Sequence, residues 1–192
     1  CARHREESSK PVVLRERRIV FCSPQENRAD FARSKGEKYM KRIASFEVDH
    51  DILTKGMYLS RTDGDVVTYD IRMKVPNAGD YLSDGAMHTF EHLFATYARN
   101  SAHSDQVIYV GPMGCRTGFY FLVRDTLPHA ESIRLVQETF AFIRNFSGKI
   151  PGSERKECGN YLDHDLAGAR AVAADMCEVL AGWTEEKLVY PK

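Results

Sequence analysis

The sequence predicts an α+β fold, an antiparallel or mixed sheet covered by helices. Three observations carry that reading. In Val66–Val75, Val67, Tyr69, Ile71, Met73 and Val75 alternate with polar residues, the period of a half-buried strand. The stretch before it, Met57–Ser60, is joined to it by Thr62-Asp63-Gly64-Asp65, a hairpin turn that makes the first strand pair antiparallel. Three later stretches repeat apolar residues at helical spacing, and they interleave with short strands.

Taken in order, Pro76-Asn77-Ala78-Gly79 ends the second strand. A helix then starts with Ser83 or Asp84 as N-cap and runs to about Ser101, with Met87, Phe90, Leu93, Phe94 and Tyr97 as its apolar stripe. Gln106–Val110 is a short buried strand, residues 111–118 a loop and Phe119–Val123 another strand. A second helix spans about His129 to Asn145, with Ile133, Val136, Phe140 and Ile143 inward and Gly148 near its C-cap. Residues 151–160 form a polar loop. A third helix covers about Leu166 to Trp183, with Leu166, Ala169, Val172, Ala173, Met176, Val179, Leu180 and Trp183 on one face. No internal repeat interrupts this order.

The chain divides at Met40. Residues 1–39 are polar, without sustained periodicity, and hold ten Lys/Arg against six Asp/Glu; the remainder holds seventeen against twenty-one. They are read as an extension, disordered or upstream of a native start at Met40, and residues 40–192 as one domain with a real core. Lys35-Gly36-Glu37, just before Met40, is compatible with a purine-rich ribosome-binding sequence. The alternative is a basic tail for an acidic partner. The whole chain balances 27 basic against 27 acidic residues, which gives no electrostatic case for nucleic acid or a membrane surface. No apolar run approaches the roughly 20 residues of a membrane span. Five widely spaced cysteines, an odd number, do not make a disulfide framework, so a reducing cytoplasm is expected.

The chemistry centres on His88-Thr89-Phe90-Glu91-His92. On a helix, His88 and His92 project from one face a turn apart, with Glu91 at its edge. Two imidazoles on an anchored helix suit a metal ion. Chance alone gives H-x-x-E-H in such a chain about once in fifty, so a third ligand is needed. Cys158, in a loop and followed by Gly159, would complete a His₂Cys set with one open position, an arrangement for catalysis; the alternative is a free surface thiol. Cys115 lies among glycines and beside Arg116. A nearby cation and Arg116 would favour its thiolate, a proton carrier. Glu91 is a second proton-transfer candidate, or else an orienter of a histidine. Cys177, on the third helix, reads as packing.

These segments resemble the S-ribosylhomocysteine lyases, the LuxS family. The resemblance rests on residues 88–92, on Gly111-Pro112-Met113-Gly114-Cys115-Arg116-Thr117-Gly118-Phe119-Tyr120 and on Glu157-Cys158-Gly159. Ala44–His50, Tyr69-Asp70-Ile71-Arg72 and His164-Asp165-Leu166 add to it, over about residues 40–183. It implies a homodimer with active sites at the interface and one Fe²⁺ per subunit, replaceable by Zn²⁺ or Co²⁺, held by His88, His92 and Cys158. Cys115 and Glu91 match the proton-transfer residues; Ser45, His50 and Arg72 match positions that contact substrate. The implied reaction cleaves the thioether of S-ribosylhomocysteine to homocysteine and 4,5-dihydroxy-2,3-pentanedione, the autoinducer-2 precursor. A ribose thioether has no acidic proton beside its C–S bond. The carbonyl must migrate from C1 to C3 through enediolates before β-elimination expels the thiolate, which takes a Lewis acid and a base on each side.

Two segments depart from the family pattern. Tyr109-Val110-Gly111 stands where Asp-x-Ser is common, and Ser153-Glu154-Arg155 with Glu157 replaces a commoner Asn-Glu-Lys-Gln. Two rival functions share the residues. H-x-x-E-H is also a metallopeptidase signature, though with a carboxylate third ligand. A non-catalytic metal-binding or redox-sensing module would use Cys115 and Cys158 as sensors.

Overall fold

The structure, a computed structural model, describes residues 40–192; the expectations placed on residues 1–39 lie outside the described residues. Four strands, β1 (Gly56–Asp63), β2 (Val66–Arg72), β3 (Val107–Pro112) and β4 (Gly118–Arg124), form one sheet in the order β1-β2-β4-β3. Every neighbouring pair is antiparallel, which decides between the antiparallel and mixed alternatives. The hairpin joins Asp63 to Val66 through Gly64 and Asp65, with Gly64 at φ 62°.

Three helices cover one face of the sheet: α1 (Asp84–Arg99), α2 (His129–Asn145) and α3 (Leu166–Val179). The inward residues of β2 and β4, among them Tyr69, Ile71, Phe119 and Phe121, join Phe90 and Phe94 of α1 and Phe140 of α2 in one core. Phe90 is its hub, with ring centroids 5.3 Å from Phe119 and 5.1 Å from Phe140. Each buried side chain of this size contributes about 1.5–3 kcal/mol. The pinned stripe of α1 leaves its histidine edge free for chemistry.

Four sequence expectations need correction. The strand at Gln106–Val110 is expected to be buried, yet Tyr109 of β3 is more than half exposed, because its side chain lies on the face of the sheet that the helices leave uncovered. The polar residues of β2 were expected to face water, yet Thr68, Asp70 and Arg72 are as buried as their apolar neighbours. The reason is charge pairing: Asp70 and Arg72 neutralise each other, and Tyr190 covers Asp70. Val75, expected inward, is exposed, because β2 ends at Arg72 and the backbone amides of Met73 and Lys74 turn to the Thr117 carbonyl. The third helix stops at Val179 rather than Trp183. Trp183 leaves the helical path to donate its indole N–H to the Met57 carbonyl at 3.0 Å, tying the chain after α3 to β1.

Candidate active site

Ser83 caps α1 as expected, its hydroxyl accepting from the Ala86 amide, a contact of about 1 kcal/mol. With Phe90, Leu93 and Phe94 locked inward, His88 and His92 stand side by side, ring centroids 4.7 Å apart. Each Nδ1 donates to a backbone carbonyl: His88 to Asp163 at 2.7 Å, His92 to Pro151 at 2.8 Å. A carbonyl only accepts, so both rings carry their proton on Nδ1 and offer a bare Nε2. Gly152 follows Pro151 at φ 72°, and a Cβ there would stand 3.1 Å from Nδ1 of His92, so both conformation and space favour glycine.

The loop of residues 151–160 brings the sulfur. Cys158 Sγ lies 3.3 Å from Nε2 of His88. It also accepts a hydrogen bond from the Asn160 amide at 3.4 Å. A fourth donor, His164, joins them, and donor atoms of His88, His92, Cys158 and His164 lie within 4.8 Å of one another. His164 stacks on His88, centroids 4.2 Å apart, and its Nδ1 meets the Thr89 hydroxyl at 3.2 Å. Its buried Nε2 has no hydrogen-bond partner among the described residues. Burial, then the neighbouring His88 and His92, hold its pKa below the ordinary imidazole value. The four donors are nitrogen and sulfur with no cationic side chain among them, a set that fits a thiophilic divalent ion and could hold one. Among the described residues no carboxylate belongs to the cluster, and the third protein donor beside the two histidines is a sulfur, where a metallopeptidase uses a carboxylate.

The residue 111–118 loop presents a second sulfur. Met113 and Gly118 pair across its base, and the Arg116 amide bonds the Met113 carbonyl at 2.9 Å. Arg116 adopts φ 57°, a left-handed conformation that costs about 1 kcal/mol for a residue with a side chain. Gly118 passes so close to the Ile71 carbonyl that a Cβ would collide with it. The Arg116 carbonyl accepts from Leu82, just before α1, so the loop is docked on the helix that carries the histidines.

Cys115 is exposed, 3.1 Å from the Thr117 hydroxyl and 3.8 Å from Nη1 of Arg72. Burial pushes its thiol up. Hydrogen bonds from the Thr117 side chain and amide, with the Arg72 guanidinium, outweigh that and hold it below the ordinary thiol value. Cys177 is the contrast: half-buried on α3, its thiol is pushed up by burial.

The remaining candidates are placed unevenly. Arg72 is brought to Cys115. Glu91 sits half-buried beside His92, with no hydrogen bond or ion pair among the described residues. Ser45 lies in the short helix Ala44–Phe46 and lines a cavity on the open face of the sheet with Arg61, Thr68, Tyr109, Tyr120 and Leu122. His50 is half-buried, its Nδ1 on the Val48 carbonyl at 2.9 Å. Among the described residues no hydrogen bond links Ser45 or His50 to the histidine cluster. His164 is the donor that motif reading missed. Its one sequence signal was its place in the His164-Asp165-Leu166 segment, which carries no metal spacing.

Fold and site together define a small α+β protein with a His/Cys pocket able to hold a metal ion and a separate activated thiol. Comparison with known proteins places that class in a family. The family described as S-Ribosylhomocysteinase (LuxS) matches residues 43–187, and the chain belongs to it. Relatives named S-ribosylhomocysteine lyase include one from Phocaeicola vulgatus, 49% identical across 79% of this chain and 98% of the relative. One from Porphyromonas gingivalis is 48% identical across 79% and 99%, and one from Clostridium acetobutylicum 41% across 80% and 100%.

Proposed function

We propose that this chain is an S-ribosylhomocysteine lyase, a carbon–sulfur lyase that releases homocysteine and 4,5-dihydroxy-2,3-pentanedione, the precursor of a quorum-sensing signal. The observation that carries the reading is the pairing of two unlike sulfurs. One, on Cys158, converges with bare imidazole nitrogens, and the other, on Cys115, has a lowered pKa. His88, His92 and Cys158 would hold one Fe²⁺ per subunit, with Zn²⁺ or Co²⁺ able to replace it. When bound, such an ion supplies Lewis-acid polarisation of the sugar oxygens.

The chain's own residues move the protons. The Cys115 thiolate removes the proton from C2 of the opened sugar and returns it at C1, moving the carbonyl to C2. A second transfer moves it to C3. The C4 proton is then acidic, and its removal by Glu91 expels homocysteine thiolate from C5. Arg72 keeps Cys115 ionised between transfers. Ser45, His50 and Arg72 are assigned to substrate, as the motif match implies.

A homodimer suits the open face of the sheet. Phe46 and Tyr109 are more than half exposed there, next to the cavity that Ser45 lines, and a second copy would cover them and bring its residues to a shared site. A cytoplasmic location suits the three free thiols among the described residues. No helix among the described residues is long and apolar enough to cross a membrane.

The test is thiol release. Protein prepared without oxygen and loaded with Fe²⁺ should liberate one free thiol per S-ribosylhomocysteine consumed. A metal-loaded protein that releases none refutes the lyase reading. Within it, His164 is assigned to orienting His88 through their stacked rings, not to the ion. His164→Ala should therefore still bind one metal ion, about 10–100-fold more weakly. Loss of metal as complete as that caused by removing Cys158 would make His164 a ligand.

A further inference from the structure

Arg72 lowers the Cys115 thiol, and Arg72 is itself held from behind. Its Nε and Nη2 donate to the two oxygens of Asp70 at 2.8 and 2.9 Å. This fork fixes the guanidinium plane. Nη1 remains free to donate to the Thr117 hydroxyl at 2.6 Å and to face Cys115. The pair is deeply buried, with both side chains 3% exposed. Among the described residues Asp70 has one further side-chain partner: the Tyr190 hydroxyl donates to its Oδ2 at 3.0 Å.

Tyr190 arrives from the segment that follows the short helix Glu185–Leu188, beyond the residues matched by the family. Its ring stacks on Tyr58 of β1, centroids 5.1 Å apart at 25°. The Tyr58 hydroxyl is in turn bonded to Thr54 at 2.9 Å. Burial, then the Asp70 charge, push the Tyr190 phenol up, so at neutral pH it stays a donor. The hydroxyl therefore has a fixed approach, a fixed protonation state and a buried carboxylate to serve.

We propose that Tyr190 is a positioning residue for the proton-transfer thiol: through Asp70, its hydroxyl holds the Arg72 guanidinium where Nη1 bridges Thr117 and Cys115. The proposal deepens the lyase reading and rests on it only for its effect on turnover; its effect on the thiol stands alone. Deleting the hydroxyl leaves a buried carboxylate oxygen one donor short, a costly state in a site with little access to water. Relief comes by rotating the carboxylate or by drawing the guanidinium toward it. Either movement takes Nη1 from the sulfur. An Asp70 charge no longer shared with Tyr190 also cancels more of the Arg72 field at Cys115. Every route weakens the thiolate. The ionisable groups that bear on the sulfur are Arg72 and, through it, Asp70 from β2, and Tyr120 from β4; Thr117 donates from its own loop.

The test compares metal-loaded full chain with its Tyr190→Phe variant, which keeps the ring stack and removes one oxygen. Iodoacetamide labelling of Cys115 is followed against pH by peptide mass spectrometry, with Cys177 as the internal measure of fold integrity. The Cys115 rate at pH 7 should fall roughly 3- to 10-fold, its profile should move to higher pH, and Cys177 labelling should not change. In thiol release, kcat should fall and its acid limb should move the same way. A Cys115 profile that superimposes on that of the parent overturns the proposal. So does one that changes only together with Cys177, which would make Tyr190 a structural residue. If the parent releases no thiol, the lyase reading fails and the labelling profile still decides the role of Tyr190.

Discussion

Replacing Cys115 by alanine should reduce turnover by roughly 10²–10⁴-fold, the usual worth of a positioned acid–base group, while leaving the metal in place. The separation follows from geometry. Cys115 is paired with Arg72 and Thr117, and it is no member of the donor cluster of His88, His92, Cys158 and His164. A peptidase or a simple metal-binding module would keep its properties in this variant. Because Thr117 and Arg72 hold the thiol low, the parent should retain its base at pH values where an ordinary thiol is protonated. Activity is lost as pH falls through the lowered pKa and not before. Measuring kcat against pH, beside metal content, checks both parts. Equal loss of metal and activity would show that Cys115 belongs to the coordination sphere.

The second large effect is at Cys158. Cys158→Ala leaves the paired imidazoles without the sulfur that faces Nε2 of His88. Outer partners of metal ligands are worth about 10–100-fold in affinity, so losing a ligand itself should exceed that. The loss should also appear as stability. An ion at 100 times its dissociation constant stabilises the native state by about 2.7 kcal/mol. In a domain of this size that raises the melting temperature by about 5–10 °C. The parent should show this rise on metal addition and Cys158→Ala should not. A variant that still melts higher with stoichiometric metal would remove Cys158 from the ligand set.

Much of this was legible in the sequence where the signal was local. The spacing of His88 and His92, the Ser83 cap and the bounds of α2 depend on residues a turn apart, and the structure has them where periodicity put them. The hairpin was legible because Asp63-Gly64-Asp65 lies between two alternating runs. What failed to show depends on distant chain. His164 reaches the cluster because Asp163, 75 residues after His88, returns its carbonyl to that ring. No spacing rule carries such a contact. The polar side of β2 read as solvent-facing because alternation reports which residues differ, not what covers them. Its cover is the Asp70–Arg72 pair and Tyr190, 120 residues from Asp70. The early end of α3 has the same origin, since Trp183 is drawn to Met57 on β1.

The division of labour between the two sulfurs is the claim most open to direct measurement. X-ray absorption at the metal edge of the Zn²⁺-loaded protein counts sulfur neighbours at about 2.3 Å. One sulfur with imidazole nitrogens is expected, unchanged in Cys115→Ala and absent in Cys158→Ala. Two sulfurs in the parent, or a sulfur signal that vanishes with Cys115, would contradict it.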